Sequence, residues 1–310
     1  GCQDSPWQPS ICREVDMTHG RRHFRKTPAL DRVPVVEGRM VQSHRLGCKA
    51  YGFGEGRSAT WHNLSPGCSV LRPQFWIPHI ALGPQAQSRI KRVRAGFCDI
   101  TGQANERSMM AAVIPPEVVC GNKVPTVEFP NDPSEERILL WLSVVNSLPF
   151  DWLLRRVVTT TVNYFVLLSI KLPPLEIDSL PARRLIEIAR KLATLDKTGA
   201  ASSETLWIMA ELKAEADVLV AKAYGCAEAD VRLMLQDFPL LDREQPPLSG
   251  ESQSTITADT FLQTWMRRTK RKDGVAAQRV LDAKKLGAVP YISSEFVSTL
   301  EAMRETGREQ

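Results

Sequence analysis

Apolar residues in this chain fall into two kinds of pattern. Over residues 108–114 they form a short unbroken run of small side chains closed by Pro115-Pro116, which predicts a buried strand rather than a helix. Ahead of it lie a basic, strand-like piece at 89–94 and a polar turn at 101–106. The unit reads as a hairpin, with a further extended segment at 118–123 in which Gly121 marks a bulge or turn. Helical spacing takes over afterwards. Apolar residues at 138, 139, 142, 145 and 148 predict a core-facing helix from Ser134, with Asp132 as N-cap, Pro133 at N1 and Glu135 at N3. Pro149 breaks it, and a second short helix follows over 150–157. The β-branched and aromatic residues of 159–165 predict a strand. Beyond Pro174 the spacing is helical again: an apolar stripe at 185, 188, 189, 192 and 195, a longer helix over 204–224 stopped by Gly225, and a third ending at Pro239. A Pro/Gly/Ser linker at 245–254 leads to a last helix over 257–272. The expected fold class is α+β, a β-rich front with packed helices followed by an all-α C-terminal tail.

The hairpin carries candidate chemistry. Arginine suits guanine, asparagine and glutamine suit adenine, and glutamate accepts from cytosine, and this turn offers Gln103, Asn105, Glu106 and Arg107. The same residues also suit an ordinary solvated hairpin, and both readings stand at this level.

The order of segments resembles a known family. Asp99-Ile100, the polar turn, Asn105-Glu106-Arg107-Ser108, the small-apolar strand, Ile114-Pro115-Pro116 and Cys120-Gly121-Asn122-Lys123 look like the target-recognition domain of large adenine-N6 DNA methyltransferases, the Type IIG and Type IIL restriction-modification enzymes and related phage-defence systems. The likeness extends upstream to Glu37-Gly38-Arg39-Met40-Val41 and His44-Arg45. Downstream it reaches Val144-Val145-Asn146-Ser147, Phe150-Asp151-Trp152, Val162-Asn163-Tyr164-Phe165 and Leu172-Pro173-Pro174. At 42–43 the chain has Gln-Ser where the family has Phe-Asp, which puts any role of that Asp in doubt. Gly287-Ala288-Val289-Pro290-Tyr291-Ile292 resembles a tail motif of some members, with no role legible in its residues.

The resemblance implies a connector from a catalytic region at 1–35, a DNA target-recognition domain at 36–175, a helical tail at 176–245, and a linker with a C-terminal helical segment at 246–310. It implies double-stranded DNA as ligand and a catalytic methyltransferase domain or subunit as partner. S-adenosylmethionine is expected in that partner and no cofactor in this chain. The DNA contacts it singles out are Arg89, Lys91, Arg92, Arg94, Gln103, Asn105, Arg107 and Lys123, with Ser58, Thr60, His62 and Asn63 as a second loop. Asn146 and Asn163 read instead as buried hydrogen-bonding residues.

Charge and composition sharpen this only partly. The net charge is +5, but residues 1–100 hold 15 Lys and Arg against 7 Asp and Glu, or +8, leaving −3 for the rest. A basic front is the footprint of a phosphate-binding face, though a merely soluble surface can share it. The basic cluster at 267–272 fits either helix-dipole chemistry or phosphate contact. Seven scattered cysteines without a C-x-x-C pair argue against disulfides and structural zinc and for a reducing, cytoplasmic setting. Five histidines without ligand spacing argue against a metal site. No apolar run is long enough to span a bilayer, and no signal peptide is visible. The start at Gly1-Cys2 suggests a piece cut from a longer protein.

Catalytic signatures are missing. The glycines of 51–57 are followed by no helix, so they read as a loop near DNA rather than a cofactor turn. Pro130-Asn131-Asp132-Pro133 lacks the paired prolines and aromatic of an amino-methyltransferase. The chain alone therefore reads as a binding module. The alternatives are a non-catalytic scaffold subunit of a phage-defence complex, and a methyltransferase fragment with a diverged cofactor site.

Overall fold

A computed structural model of the chain describes residues 7–102, 105–199, 202–271 and 273–292, the side chain of Arg57 excepted. The front half holds eleven described strands: β1 (Ser10–Cys12), β2 (Arg32–Val36), β3 (Val41–Gln42), β4 (Arg45–Leu46), β5 (Lys49–Tyr51), β6 (Trp61–Asn63), β7 (Trp76–Pro78), β8 (Arg94–Phe97), β9 (Ala111–Ile114), β10 (Val119–Cys120) and β11 (Thr126–Glu128). One short helix, α1 (Pro84–Arg89), interrupts them. The helices that follow are α2 (Glu135–Val145), α3 (Leu148–Arg155), α4 (Tyr164–Ser169), α5 (Leu180–Leu195), α6 (Ser203–Ala223), α7 (Glu228–Gln236), α8 (Ile256–Arg268) and α9 (Gly274–Lys285). The fold is α+β.

The expected hairpin is present. β8 and β9 pair antiparallel from Arg94 opposite Ile114 to Phe97 opposite Ala111, and they form one side of a sheet ordered β1-β11-β8-β9 with β9 at its edge. A second sheet, β10-β2-β7, takes up the extended segment after the Pro-Pro pair, with β10 parallel to β2. There Gly121 is needed for close approach, since a Cβ would fall 2.8 Å from Met17 Sδ. Two small hairpins, β3–β4 and β5–β6, stand beside these sheets.

Helix α2 lies across the inner face of the sheet. From Ile138 on it is buried between β8, β9, α5 and α6, which is why that stretch is apolar but for Ser143. Together α2 and α3 are apolar enough to pass for a bent membrane segment, yet they are the protein's own core; among the described residues no single helix is long and apolar enough to cross a membrane. Asn146 is the buried hydrogen-bonding residue expected. Its amide spans the backbone of Ala111, receiving from the N–H at 3.0 Å and donating to the carbonyl at 2.9 Å.

Several expectations are corrected. Residues 89–94 are not a strand throughout: Arg89 ends α1, a turn follows, and only Arg94 enters β8. Ser134 rather than Asp132 caps α2, accepting from Arg137 N, while Asp132 receives the Ser134 hydroxyl. The strand at 159–165 is reduced to one bridge at Thr161. Asn163 is an exposed N-cap, and Tyr164 already begins α4. Helix α9 escaped sequence reading. The strand β1, within the segment expected as a connector, pairs with β11 and so belongs to the sheet. No packing boundary falls at 175, because Leu185, Ile188 and Leu192 of α5 share one core with Phe97 and Trp141.

The C-terminal part closes on a buried carboxyl. Asp242 accepts from both the N–H and the hydroxyl of Thr257, at 2.7 and 2.6 Å, and burial pushes its pKa up to about 7. An unfolded aspartate titrates near about 4. Between those values the folded chain keeps a proton that the unfolded chain gives up, so stability falls as pH rises through the window. Asp217, also pushed up by burial, to about 6, acts in the same sense. The melting temperature of Asp242→Asn should therefore drop less than that of the parent chain between about pH 5 and about pH 8. Parallel profiles would contradict this.

Candidate nucleic-acid interface

The β8–β9 hairpin opens into the loop 98–110, and side chains from α3 hold that loop down. Arg155 donates to the carbonyls of Asn105 and Glu106 at 2.6 and 2.7 Å. Asp151, fully buried, receives the Ser108 N–H at 3.0 Å and Arg107 Nε at 2.5 Å. Arg107 also donates to the carbonyl of Asn146 at 2.7 Å. The turn is thus fastened by its backbone, which leaves the Asn105 side chain exposed, with one bond to the Thr101 hydroxyl at 3.3 Å.

Three of the candidate DNA contacts are corrected by this geometry. Arg94 is wholly buried, with Nε and Nη2 on the two oxygens of Glu14 at 2.6 and 2.8 Å and further bonds to carbonyls of Arg92, Pro115 and Val118. Arg89 is buried against Thr126, Ser10 and Glu128. Arg107 is spent on Asp151; against the pull of burial, Asp151 and Asp217 hold its pKa above the usual value. These guanidiniums knit strands and helices together, each engaged by a carboxylate of the protein.

The remaining candidates do not form one face. Lys91 and Arg92 are exposed, Arg92 beside Glu128 at 3.4 Å, but they sit at the Arg94 end of β8. That end is about 10 Å of strand away from the loop. Lys123 is exposed and packs beside Gly38, near the loop. Ser58 and Thr60 build the β5–β6 loop: the Ser58 hydroxyl donates to the Glu55 carbonyl, and Thr60 Oγ1 accepts from Phe53 N. His62 is exposed on β6, and Asn63 stands opposite Lys49 at the base of that hairpin. Gln103 lies outside the described residues.

What the structure does assemble is a cleft of about 330 Å³ at the loop end of the β8–β9 hairpin. Its walls come from the β3–β4 hairpin (Arg39, Gln42, Ser43, Arg45), from Lys49, from the clamped turn (Asn105, Glu106, Arg107), and from the helical tail (Lys213, Arg243, Tyr291). Arg45 is committed to buried Asp196 at 2.7 Å. Arg39 lies over the Trp61 ring at 4.9 Å and is half exposed. Lys213 is the most perturbed cation here. Burial, with Arg45 and Arg107 adding like-charge repulsion, pulls its pKa down to about 8. His44, buried beside it with φ 61, is pulled down to about 3 by burial and by the charges of Lys213 and Arg107, so its imidazole is neutral.

Sequence reading missed Arg39, Gln42, Ser43, Lys49, Lys213 and Arg243 as site residues. Lys213 carried no sequence signal of its own, being one of several charged residues along α6. The glycines expected to form a loop rather than a cofactor turn lie in the β5–β6 loop. A Cβ on Gly54 would fall 2.3 Å from the Ser58 carbonyl oxygen, and the loop returns into a strand instead of opening a helix.

No family model and no curated protein matches this chain. Its likeness to the methyltransferase recognition domains therefore rests on the segments quoted above. Several of those segments are structurally explained by the fold: Asp151 and Asn146 hold the loop, Ser147 caps α3, and Asn163 caps α4.

Proposed function

We propose that this chain is the DNA target-recognition module of an adenine-N6 DNA methyltransferase of the restriction-modification or phage-defence kind. One observation carries the reading: a clamped turn presents Asn105 and Glu106 inside a cleft walled by Arg39, Lys49, Lys213 and Arg243. A cleft of this size does not admit a duplex, so the double helix lies across it, with the β3–β4 and β5–β6 hairpins on one side. Arg39, Lys49, Arg243 and Lys123 contact phosphates and set the position, while Gln42, Asn105 and Glu106 reach base edges. Methyl transfer belongs to a catalytic domain or subunit that binds S-adenosylmethionine.

Selection of bound duplexes from a randomised pool tests this. The chain should enrich a defined sequence, and Asn105→Ala should relax one position of it, a loss of about 1–3 kcal/mol of discrimination there. A pool that emerges unenriched would contradict the reading.

A scaffold role has one observation in its favour. Phe165 and Leu168 of α4 are exposed beside an apolar groove of about 360 Å³ lined by Trp7, Trp141 and Phe150. A pure scaffold would show little DNA binding at physiological salt, which separates the two.

A further inference from the structure

We propose that the helical tail binds DNA itself, with Lys213 of α6 as the ligand of a backbone phosphate that projects from the duplex into the cleft. The inference rests on the DNA-recognition reading and adds a second wall to it.

Lys213 is half-buried and lines both the open cleft and a small polar hole beneath it. Its neighbours compensate it only in part, Asp196 and Asp217 attracting it from beyond ion-pair distance. Arg45 and Arg107 repel it, and each has its own carboxylate, Asp196 at 2.7 Å and Asp151 at 2.5 Å. The two oxygens of Asp217 are taken by the Leu148 N–H at 2.8 Å and the Tyr291 hydroxyl at 2.7 Å. Among the described residues no carboxylate lies within ion-pair distance of the Lys213 ammonium. Its contact is the Tyr291 carbonyl at 3.5 Å, long for a hydrogen bond. A half-buried cation among like charges costs stability, and an arriving anion would relieve that cost.

The segment 286–292, for which the sequence supplied no role, orients this lysine. Tyr291 has φ 60, its N–H donates to the Thr257 hydroxyl, and Val289 N–H donates to Gln245. These bonds fix the Tyr291 carbonyl against Lys213. Opposite, Arg243 and Glu106 complete the opening. A phosphate seated there would meet the Lys213 ammonium with Arg243 beside it.

The titration of Lys213 supplies the test. Of the groups facing it, His44 stays neutral, Arg107 keeps its charge beside Asp151, Asp217 titrates below the window at about 6, and Tyr291 is pushed well above its usual value by burial. Asp196 is held by Arg45. With a free pKa of about 8, Lys213 must take up a proton to bind phosphate once the pH passes that value. Anisotropy of the full chain with a labelled mixed-sequence duplex should then show affinity falling about fivefold from about pH 8 to about pH 9. Lys213→Arg should abolish the fall, because arginine stays charged. Lys213→Gln should bind more weakly at about pH 7, be flat in pH, and reduce the slope of log K against log salt by about 1.

A wild type that binds duplex DNA with a flat pH profile, and a Lys213→Gln variant with an unchanged salt slope, would overturn the proposal and leave the recognition reading intact. If the wild type binds no duplex, the recognition reading fails. Inorganic phosphate then decides Lys213: a raised melting temperature in wild type and not in Lys213→Gln supports a phosphate site fed by a free ligand, and no rise in either overturns it.

Discussion

Glu14→Ala is expected to lower the stability of the folded chain by about 3–5 kcal/mol. Both oxygens of this carboxylate are used: Arg94 donates two bonds, Cys120 N one at 2.9 Å, and the Thr126 hydroxyl one at 2.9 Å. Both members of the pair have no side-chain exposure, so removing Glu14 leaves a guanidinium charge in the interior with no counter-ion. The loss should be read as a lower denaturation midpoint with an unchanged slope against denaturant. A double replacement, Glu14→Leu with Arg94→Met, should recover much of it, since exchanging a whole buried pair for apolar residues is often neutral. Neither change should alter the salt slope of DNA binding by the folded fraction. An Arg94 that acted as a phosphate contact would instead make the double variant bind with a shallower slope.

Asp151→Ala carries the second large effect, and it is double. Arg107 loses its counter-charge and the Ser108 N–H its acceptor, for about 3 kcal/mol or more of stability. The turn also loses one of its two anchors to α3, and Arg155, which holds the Asn105 and Glu106 carbonyls, loses the carboxylate beside it, so the two residues are held less firmly. Discrimination between an enriched site and random sequence should collapse, while the salt slope persists because Arg39, Lys49 and Arg243 are untouched. Retained discrimination in a folded Asp151→Ala protein would mean that the turn does not read bases.

The elements with a strong local signature were legible before any coordinates. A run of small apolar residues ended by two prolines gave itself away as β9, and apolar spacing marked α2, α5 and α6. Asn146 stood out as an amide among apolar neighbours and is indeed satisfied inside. Arg89, Arg94 and Arg107 were opaque because a charge count is blind to a tertiary partner: Glu14 lies eighty positions from Arg94 along the chain. The strand expected at 159–165 failed because the Asn163 cap and the apolar needs of α4 outweighed β-branched propensity. The cleft was invisible for the same reason as the ion pairs. Its walls come from positions 39–49, 105–107, 213, 243 and 291, which the α2–α6 core brings together.

The most direct measurement is the affinity of the chain for duplex DNA across salt, with the Arg39→Ala, Lys49→Ala, Arg243→Ala triple variant beside it. The cleft account predicts binding that weakens linearly in log K against log salt, and a slope about 3 units shallower in the triple variant. Equal slopes and equal affinities in the two proteins would contradict it.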